Sequence, residues 1–466
     1  MIQLLVLITI YTVLLVICIS FSPKGLMLTP QLCYVACFIP GTFYALFYVN
    51  KWYLNISLDT FCVFAGGAIL FVLCSLIAQE YFKRRYKSVL KASDYGKKGK
   101  VFAIRIQKYK LIVFIIISVI AILWSIAELR LKYGNNLTLA IARYRNASVD
   151  VRNNPDFDFS FLLANIRFFV TNACFVWTYL IVHALLYRYK TNFLLIVANL
   201  VLGIICDLLS GARGNSILII LSAITYYAII NSYKNNWTLT FSSKAIFKIL
   251  VSVFTILLLF QSVGNALGRI RTDSNSDIIA EYLSAEIKNL DTAIETEQLG
   301  HHISEWRTLR GLLNAINEYT PFNIDLKPII KHPSGYINGY SLGNVLTNYY
   351  SYIYDLDFWG VLLFVPIMAF LSQAALWKSI KSIKKSQCRK IDIPTIIYGL
   401  VISGVALSFF SDRFFGLIIS SEIFKRILFI YVLKYILQSQ LKFKLRVSAS
   451  KKQRGNSDIF LYQIGR

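Results

Sequence analysis

The chain has 466 residues, of which 56 % are hydrophobic and only 16 % charged, with a formal net charge of +25. Soluble domains carry roughly 25 % charged residues, so this composition excludes an ordinary soluble enzyme or binding module. Eight cysteines are present, but no CxxC pair occurs, which removes zinc-ribbon and redox-motif readings.

A helix needs about 20 apolar residues to cross a hydrocarbon core of about 30 Å. In chain order, Met1–Phe21, Leu26–Val49, Ile56–Ala78, Leu111–Leu129, Phe161–Leu186, Phe193–Leu209, Ser216–Ile230, Ile249–Leu267, Phe358–Trp377 and Ile393–Phe410 meet this need. A further span lies within Phe414–Leu437. There, charges at Glu422, Lys425 and Arg426 predict an interfacial piece over Asp412–Ser420 and a helix starting near Glu422, because mid-bilayer charge is costly. Glu422 and Arg426, four apart, share a helix face and can pair. The runs are too long and too continuously apolar for barrel strands. The expectation is an all-α polytopic membrane protein with about eleven transmembrane helices. Residues 1–266 form the first eight, 267–357 a large extracytoplasmic loop, 358–437 the C-terminal helices and 438–466 a basic tail.

Lys and Arg set the orientation. Glu80–Lys110 carries eleven basic residues against two acids, and Lys378–Lys390 carries six basic residues and no acid. Both belong in the cytoplasm with the tail. The N-terminus, Arg130–Ser160, Ser210–Gly214 and Leu267–Asp357 then lie outside. The positive charge is a topology signal that suits anionic lipid, and no nucleic-acid-binding module accompanies it. Met1–Ser22 lacks the basic residue and short core of a cleavable signal peptide.

Leu267–Asp357 holds twelve of the 24 acids and three of the four histidines. Apolar periodicity predicts a helix over Asp277–Leu299, with Ser274 as cap and Gly300 as stop, and a second over Ser304–Glu318. Pro321, Pro328 and Pro333 favour extended chain. Gly335–Tyr354 (GYINGYSLGNVLTNYYSYIY) is rich in Tyr and Asn, side chains that hydrogen-bond hydroxyl groups and stack on sugars, although an interfacial aromatic belt also accounts for several of the tyrosines.

Four features together resemble the bacterial oligosaccharide repeat-unit polymerases, the Wzy-type enzymes of O-antigen and capsular polysaccharide. They are the polytopic layout with a late outer loop, the turn SGARGNS (Ser210–Ser216), the segment YGNNLTLAIARYR (Tyr133–Arg145), and NVLTNYYSYIYDLDFWGVLLF (Asn344–Phe364). The resemblance implies a type-C-like glycosyltransferase that joins undecaprenyl-diphosphate-linked oligosaccharides on the outer face of the cytoplasmic membrane. Its partners would be those lipids, bulk membrane lipid, a flippase and a chain-length regulator, with no nucleic acid. The odd span count departs from relatives with both ends inside. An O-antigen ligase shares the chemistry, and a lipid-linked oligosaccharide flippase or transporter shares the substrate.

The implied chemistry builds negative charge on a departing diphosphate, which arginines at the membrane surface stabilise bidentately. Arg213, between small residues, is the leading candidate, with Asp207 to orient or neutralise it. Arg269, Arg271 and Arg143 follow on the same outer side with Arg145, and Asn348 is a candidate sugar contact. His301 and His302 are candidate general bases, against a reading as hinge residues. Asp355 and Asp357 are the alternative, against a reading as helix caps. No cofactor or metal is expected.

Overall fold

The computed structural model describes residues 1–23, 25–26, 28–86, 103–149, 158–211, 213–238, 274–327, 329 and 335–439. The expected span Ile249–Leu267, Arg269, Arg271 and the tail beyond Ser439 lie outside the described residues, as does the middle of the basic segment after α3.

The architecture is a bundle of long helices: α1 (Ile2–Phe21), α2 (Pro30–Ala45), α3 (Leu58–Arg85), α4 (Lys108–Tyr133), α5 (Leu137–Val149), α6 (Phe161–Tyr187), α7 (Phe193–Leu208) and α8 (Gly214–Lys234). After the outer segment come α13 (Phe358–Ser386), α14 (Ile393–Ala406), α15 (Arg413–Ile418) and α16 (Ser421–Gln438). Among the described residues seven helices are long and apolar enough to cross a membrane: α1, α2 with the turn that follows it, α3, α4, α6, α8 and α13. The chain is thus a helical, multi-pass membrane protein. Helices α7 and α14 are apolar but shorter.

Local chemistry sets the ends. Ser57 caps α3 through the Thr60 amide, Asp59 sits in its first turn, and Lys83, Arg84 and Arg85 occupy its last, all matching the helix dipole. Pro30 opens α2, where its missing N–H costs nothing. Lys110 is buried and donates to the carbonyls of Ile436 (2.6 Å) and Ser439 (2.5 Å) at the end of α16, using a cation where carbonyls are left over. Other basic residues gather at this same end: Lys381 lies over the Tyr86 ring and Lys384 over Trp237.

The outer segment departs from expectation in three places. The single helix over Asp277–Leu299 is two, α9 (Asn275–Leu283) and α10 (Ala285–Thr296), broken at Ser284. The break lets the chain descend onto α2, where Gly41 leaves room for the Leu283 carbonyl. Ser274 does cap α9 through the Asp277 amide. The second helix begins at Arg310 instead of Ser304: a 3-10 turn covers Ile303–Glu305 and α11 spans Arg310–Tyr319. The amides of Arg307 and Thr308 are taken by the Asp355 carboxylate, at 2.7 and 2.8 Å, so they are not free for a helix. Finally, the Tyr/Asn run contains an antiparallel hairpin, β1 (Gly335–Ile337) and β2 (Tyr340–Gly343), before α12 (Asn348–Leu356). Asn338 and Gly339 both have positive φ, the requirement of a two-residue turn that Asn-Gly satisfies.

The outer segment is not perched on the bundle. Helix α12 enters it, and the Tyr349 hydroxyl meets that of Tyr34 on α2 at 2.7 Å, both side chains fully buried. Tyr349 also presses on Gly67 of α3, nine residues past Leu58, or about 14 Å along the helix at 1.5 Å per residue. Below this contact Gln31, Ser75, Gln79 and Gln373 form a buried hydrogen-bonded group joining α2, α3 and α13, the kind of polar bond that holds helices together in lipid. Glu286 of α10 is buried beside Gly41, and burial raises its pKa well above the ordinary carboxylate range.

A Cβ on Gly67 would lie 2.4 Å from the Tyr349 ring, whereas one on neighbouring Gly66 meets nothing within 4 Å. Gly67→Ala is therefore expected to destabilise the protein by about 1–3 kcal/mol through overpacking. Gly66→Ala should be neutral or slightly stabilising, by up to about 1 kcal/mol. Thermal unfolding of the two variants in detergent checks the contrast.

Candidate functional site

Three arginines are buried toward one end of the bundle, where α7 ends and α6, α8 and α16 begin. Arg167 of α6 is 7 % exposed, Arg426 of α16 is 8 % and Arg213, at the N-cap of α8, is 9 %. Arg167 lies six residues into its helix and Arg426 five, so both backbones sit at about 8–9 Å along the helix from those ends. Asp207, near the end of α7, is in electrostatic range of Arg167 and Arg426 and is hydrogen-bonded by Asn215 in the first turn of α8. That bond fastens the start of α8, and Arg213 with it, to α7.

The surroundings of these cations are sparse. Arg167 donates to the Ser125 hydroxyl at 2.6 Å and rests 4.2 Å from the Phe159 ring centre. Arg426 lies 5.3 Å from the Phe175 ring, and its Nε makes no hydrogen bond among the described residues. The expected pairing of Glu422 with Arg426 does not form an ion pair there. The neighbouring Lys425 instead reaches Glu318 of α11 at 3.7 Å. Buried guanidiniums are expensive away from water, and both Glu422 and Asp207 act electrostatically on Arg426.

The cluster continues outward. Gly211, at φ +68°, lets the chain pass Arg145 of α5, whose Cβ would be 3.1 Å from a Cβ at Gly211. Arg145 is in electrostatic range of Tyr282 on α9, and Tyr282 stacks on Phe410 at 6.1 Å. Phe410 leads into Asp412, the N-cap of α15, and Arg413, so a short helix separate from α16 stands where an interfacial piece was expected. Asp412 is half-buried and Arg413 exposed.

A second group, called the roof below, lies in the segment between α8 and α13. His301 stacks on Tyr354 at 3.8 Å, its Nδ1 is 2.9 Å from the Tyr354 carbonyl, and its Nε2 lies 4.0 Å from Glu305. Glu305 also pairs with Lys327 at 2.7 Å, and that bond lowers its pKa. Arg307 lies over the rings of Tyr354 (4.0 Å) and Tyr350 (5.0 Å), and the Tyr350 hydroxyl donates to Glu297 at 2.7 Å. Asp355 is fully buried, with its pKa raised by burial against the two amides it accepts. Near the hairpin, a cavity of ≈ 110 Å³ is lined by Asp277, Glu281, Gly339, Tyr340 and Ser341. Tyr48 and Lys51 both donate to Asp277 at its edge.

The residues singled out in the sequence thus fall in different places. Arg213 belongs to the buried cluster. His301 and Asp355 share the roof through Tyr354 and the 301–308 connection. His302 is exposed at the start of the 3-10 turn. Asp357, at φ +54°, caps α13 by accepting the Phe358 amide at 2.7 Å. Asn348 is fully buried, its amide bonded to the Tyr352 hydroxyl and its oxygen to that of Thr347. Arg143 is exposed and donates to the Tyr133 carbonyl at 2.9 Å. Arg167 and Arg426 were not among the sequence candidates, although an arginine six residues inside the apolar run beginning at Phe161 is a signal in its own right. Among the described residues no group of three or more His, Cys, Asp or Glu is arranged to hold a metal. The chain matches no protein-family model, no characterised protein and no solved structure. The described residues offer buried guanidiniums at one end of the bundle and, in the segment between α8 and α13, a group of tyrosines, a histidine and carboxyls.

Removing the acid that acts on both Arg167 and Arg426 tests the electrostatics of the cluster. Asp207→Asn should cost about 3–5 kcal/mol, because buried cations lose their counter-charge. The double variant Asp207→Asn/Arg426→Met should recover a good part of that loss, since neighbouring sites couple. Thermal melts of the single and double variants measure the coupling.

Proposed function

We propose that this protein polymerises oligosaccharide repeat units carried on a polyprenyl diphosphate, at the outer face of the membrane. The observation that carries the reading is the burial of three guanidiniums, Arg167, Arg213 and Arg426, just inside one end of the apolar bundle. A lipid-borne diphosphate brings its charge to that depth while its prenyl chain stays in lipid and its sugars point toward the roof.

In this reading a hydroxyl of the acceptor's terminal sugar attacks the anomeric carbon of the donor. The bond from that carbon to the diphosphate oxygen breaks, and charge grows on the leaving diphosphate. Pre-positioned guanidiniums stabilise that charge more in the transition state than in the ground state, which is the condition for acceleration. Arg213 stands at the N-cap of α8, so the first amides of that helix add their partial positive charge. The Tyr-rich roof offers hydroxyl donors and ring faces for sugars. A ligase, which gives the same donor a different acceptor, uses the same leaving group, and the acceptor alone separates the two readings.

Arg213→Ala is expected to abolish polymer while the protein still inserts, and single repeat units should accumulate on the lipid carrier. Arg213→Lys should recover only part of the activity, because lysine keeps the charge and loses the bidentate fork. Gel analysis of surface polysaccharide, normalised to protein in the membrane, reads both. Wild-type chain lengths in Arg213→Ala cells would overturn the reading.

A further inference from the structure

The turn between α14 and α15 carries a carboxyl beside Asp355 and Tyr352. Asp412 follows the 3-10 turn Leu407–Phe409, and its Oδ1 accepts the Phe415 amide at 3.2 Å. Its Oδ2 makes no hydrogen bond among the described residues, and the side chain is half-buried. The nearest acid of the roof differs on each point. Asp355 is fully buried, and each of its oxygens is occupied by a backbone amide. Asp355 is close enough to act on Asp412 electrostatically, as is Arg413, and Asp412 in turn acts on the Tyr352 hydroxyl. The chain leading to Asp412 packs Phe410 on Tyr282, which neighbours Arg145, and Arg145 packs against Gly211 two residues from Arg213. These contacts link the turn that carries Asp412 to the turn that carries Arg213.

We propose that Asp412 is the general base of the transfer, a role that rests on the polymerase reading. The acceptor hydroxyl oxygen forms the new bond to the donor's anomeric carbon, and its proton passes to Oδ2 of Asp412. The anomeric carbon–oxygen bond to the diphosphate breaks, and its electron pair leaves with the diphosphate. Asp412 then returns the proton to solvent. One glycosidic bond is made for one sugar–phosphate bond broken, and no oxidant, reductant or other co-reactant is consumed. The electrostatics suit the task. Burial, and then repulsion from Asp355, hold the Asp412 pKa well above the ordinary carboxylate range, while Arg413 opposes them. A base titrating nearer to neutrality takes a hydroxyl proton more effectively than an ordinary carboxylate.

The competing role for Asp412 is to cap α15, and substitutions separate the two. Asn and Ser cap a helix about as well as Asp and carry no base, whereas Glu keeps the carboxylate and is not a favoured cap. If Asp412 is the base, Asp412→Asn and Asp412→Ser insert normally and lower polymer synthesis by about 100-fold or more, the usual share of a general base. Asp412→Glu then keeps measurable synthesis. If the residue is only a cap, the order reverses: Asn and Ser variants polymerise at the wild-type level and the Glu variant is the weak one, which overturns the proposal. The assay is polymer per unit of membrane-inserted, full-length protein, in cells that lack the native copy, with wild type and Arg213→Ala run alongside. Loss of polymer in Arg213→Ala with full activity in Asp412→Asn defeats the base assignment and leaves the polymerase reading standing. Unchanged polysaccharide when the whole chain is deleted defeats both.

Discussion

The constraint on which this structure turns is the burial of three guanidiniums, Arg167, Arg213 and Arg426, at the edge of an apolar bundle. Each arginine taken from water costs several kcal/mol even after relaxation. The fold meets part of the cost locally. Ser125 accepts from Arg167, aromatic faces lie beside Arg167 and Arg426, Asp207 and Glu422 act on Arg426, and Asn215 fixes the Asp207 carboxylate. The turn between α7 and α8 is built of small residues for a steric reason: a side chain at Gly211 would press on Arg145.

The segment between α8 and α13 is anchored in the bundle. Here α10 and α12 are driven into the bundle, with Tyr349 against Gly67 and Glu286 against Gly41. Asp355 then binds the strand of chain that carries His301 and Arg307, so the roof is tied to a helix that is itself locked into the core. Rigid support of this kind is what a transfer reaction needs, because effective concentration depends on holding donor and acceptor in one geometry.

Much of the bundle was legible in the sequence, because uninterrupted apolar runs and the placement of Lys and Arg are direct consequences of the bilayer as solvent. The break before α16 was legible for the same reason. The breaks in the outer segment were not, since they depend on partners far away in the chain. Nothing near Arg307 announces that its amide belongs to Asp355, 48 residues on. The hairpin could have been read from Ile337-Asn338-Gly339-Tyr340, where Asn-Gly joins two short apolar arms, but the aromatic richness of the run drew attention to sugar contacts instead. The site was half legible. Arg213 stands out among small residues, while Arg167 and Arg426 gain meaning only when α6 and α16 bring them to the same depth. Asn348 illustrates the opposite case: a residue type suited to sugars that the packing uses inside the core.

The account rests on the arginine cluster being a site for a lipid-borne diphosphate. The most direct measurement is the thermal stability of the purified, full-length protein with added polyprenyl diphosphate carrying no sugar, compared with the matching monophosphate. A specific site stabilises the folded protein by about 2.7 kcal/mol when ligand is present at 100 times its dissociation constant. The account predicts a clear rise in melting temperature with the diphosphate, a smaller rise with the monophosphate, and loss of the difference in Arg426→Met. No preference for diphosphate, or the same shift in Arg426→Met as in wild type, would contradict it.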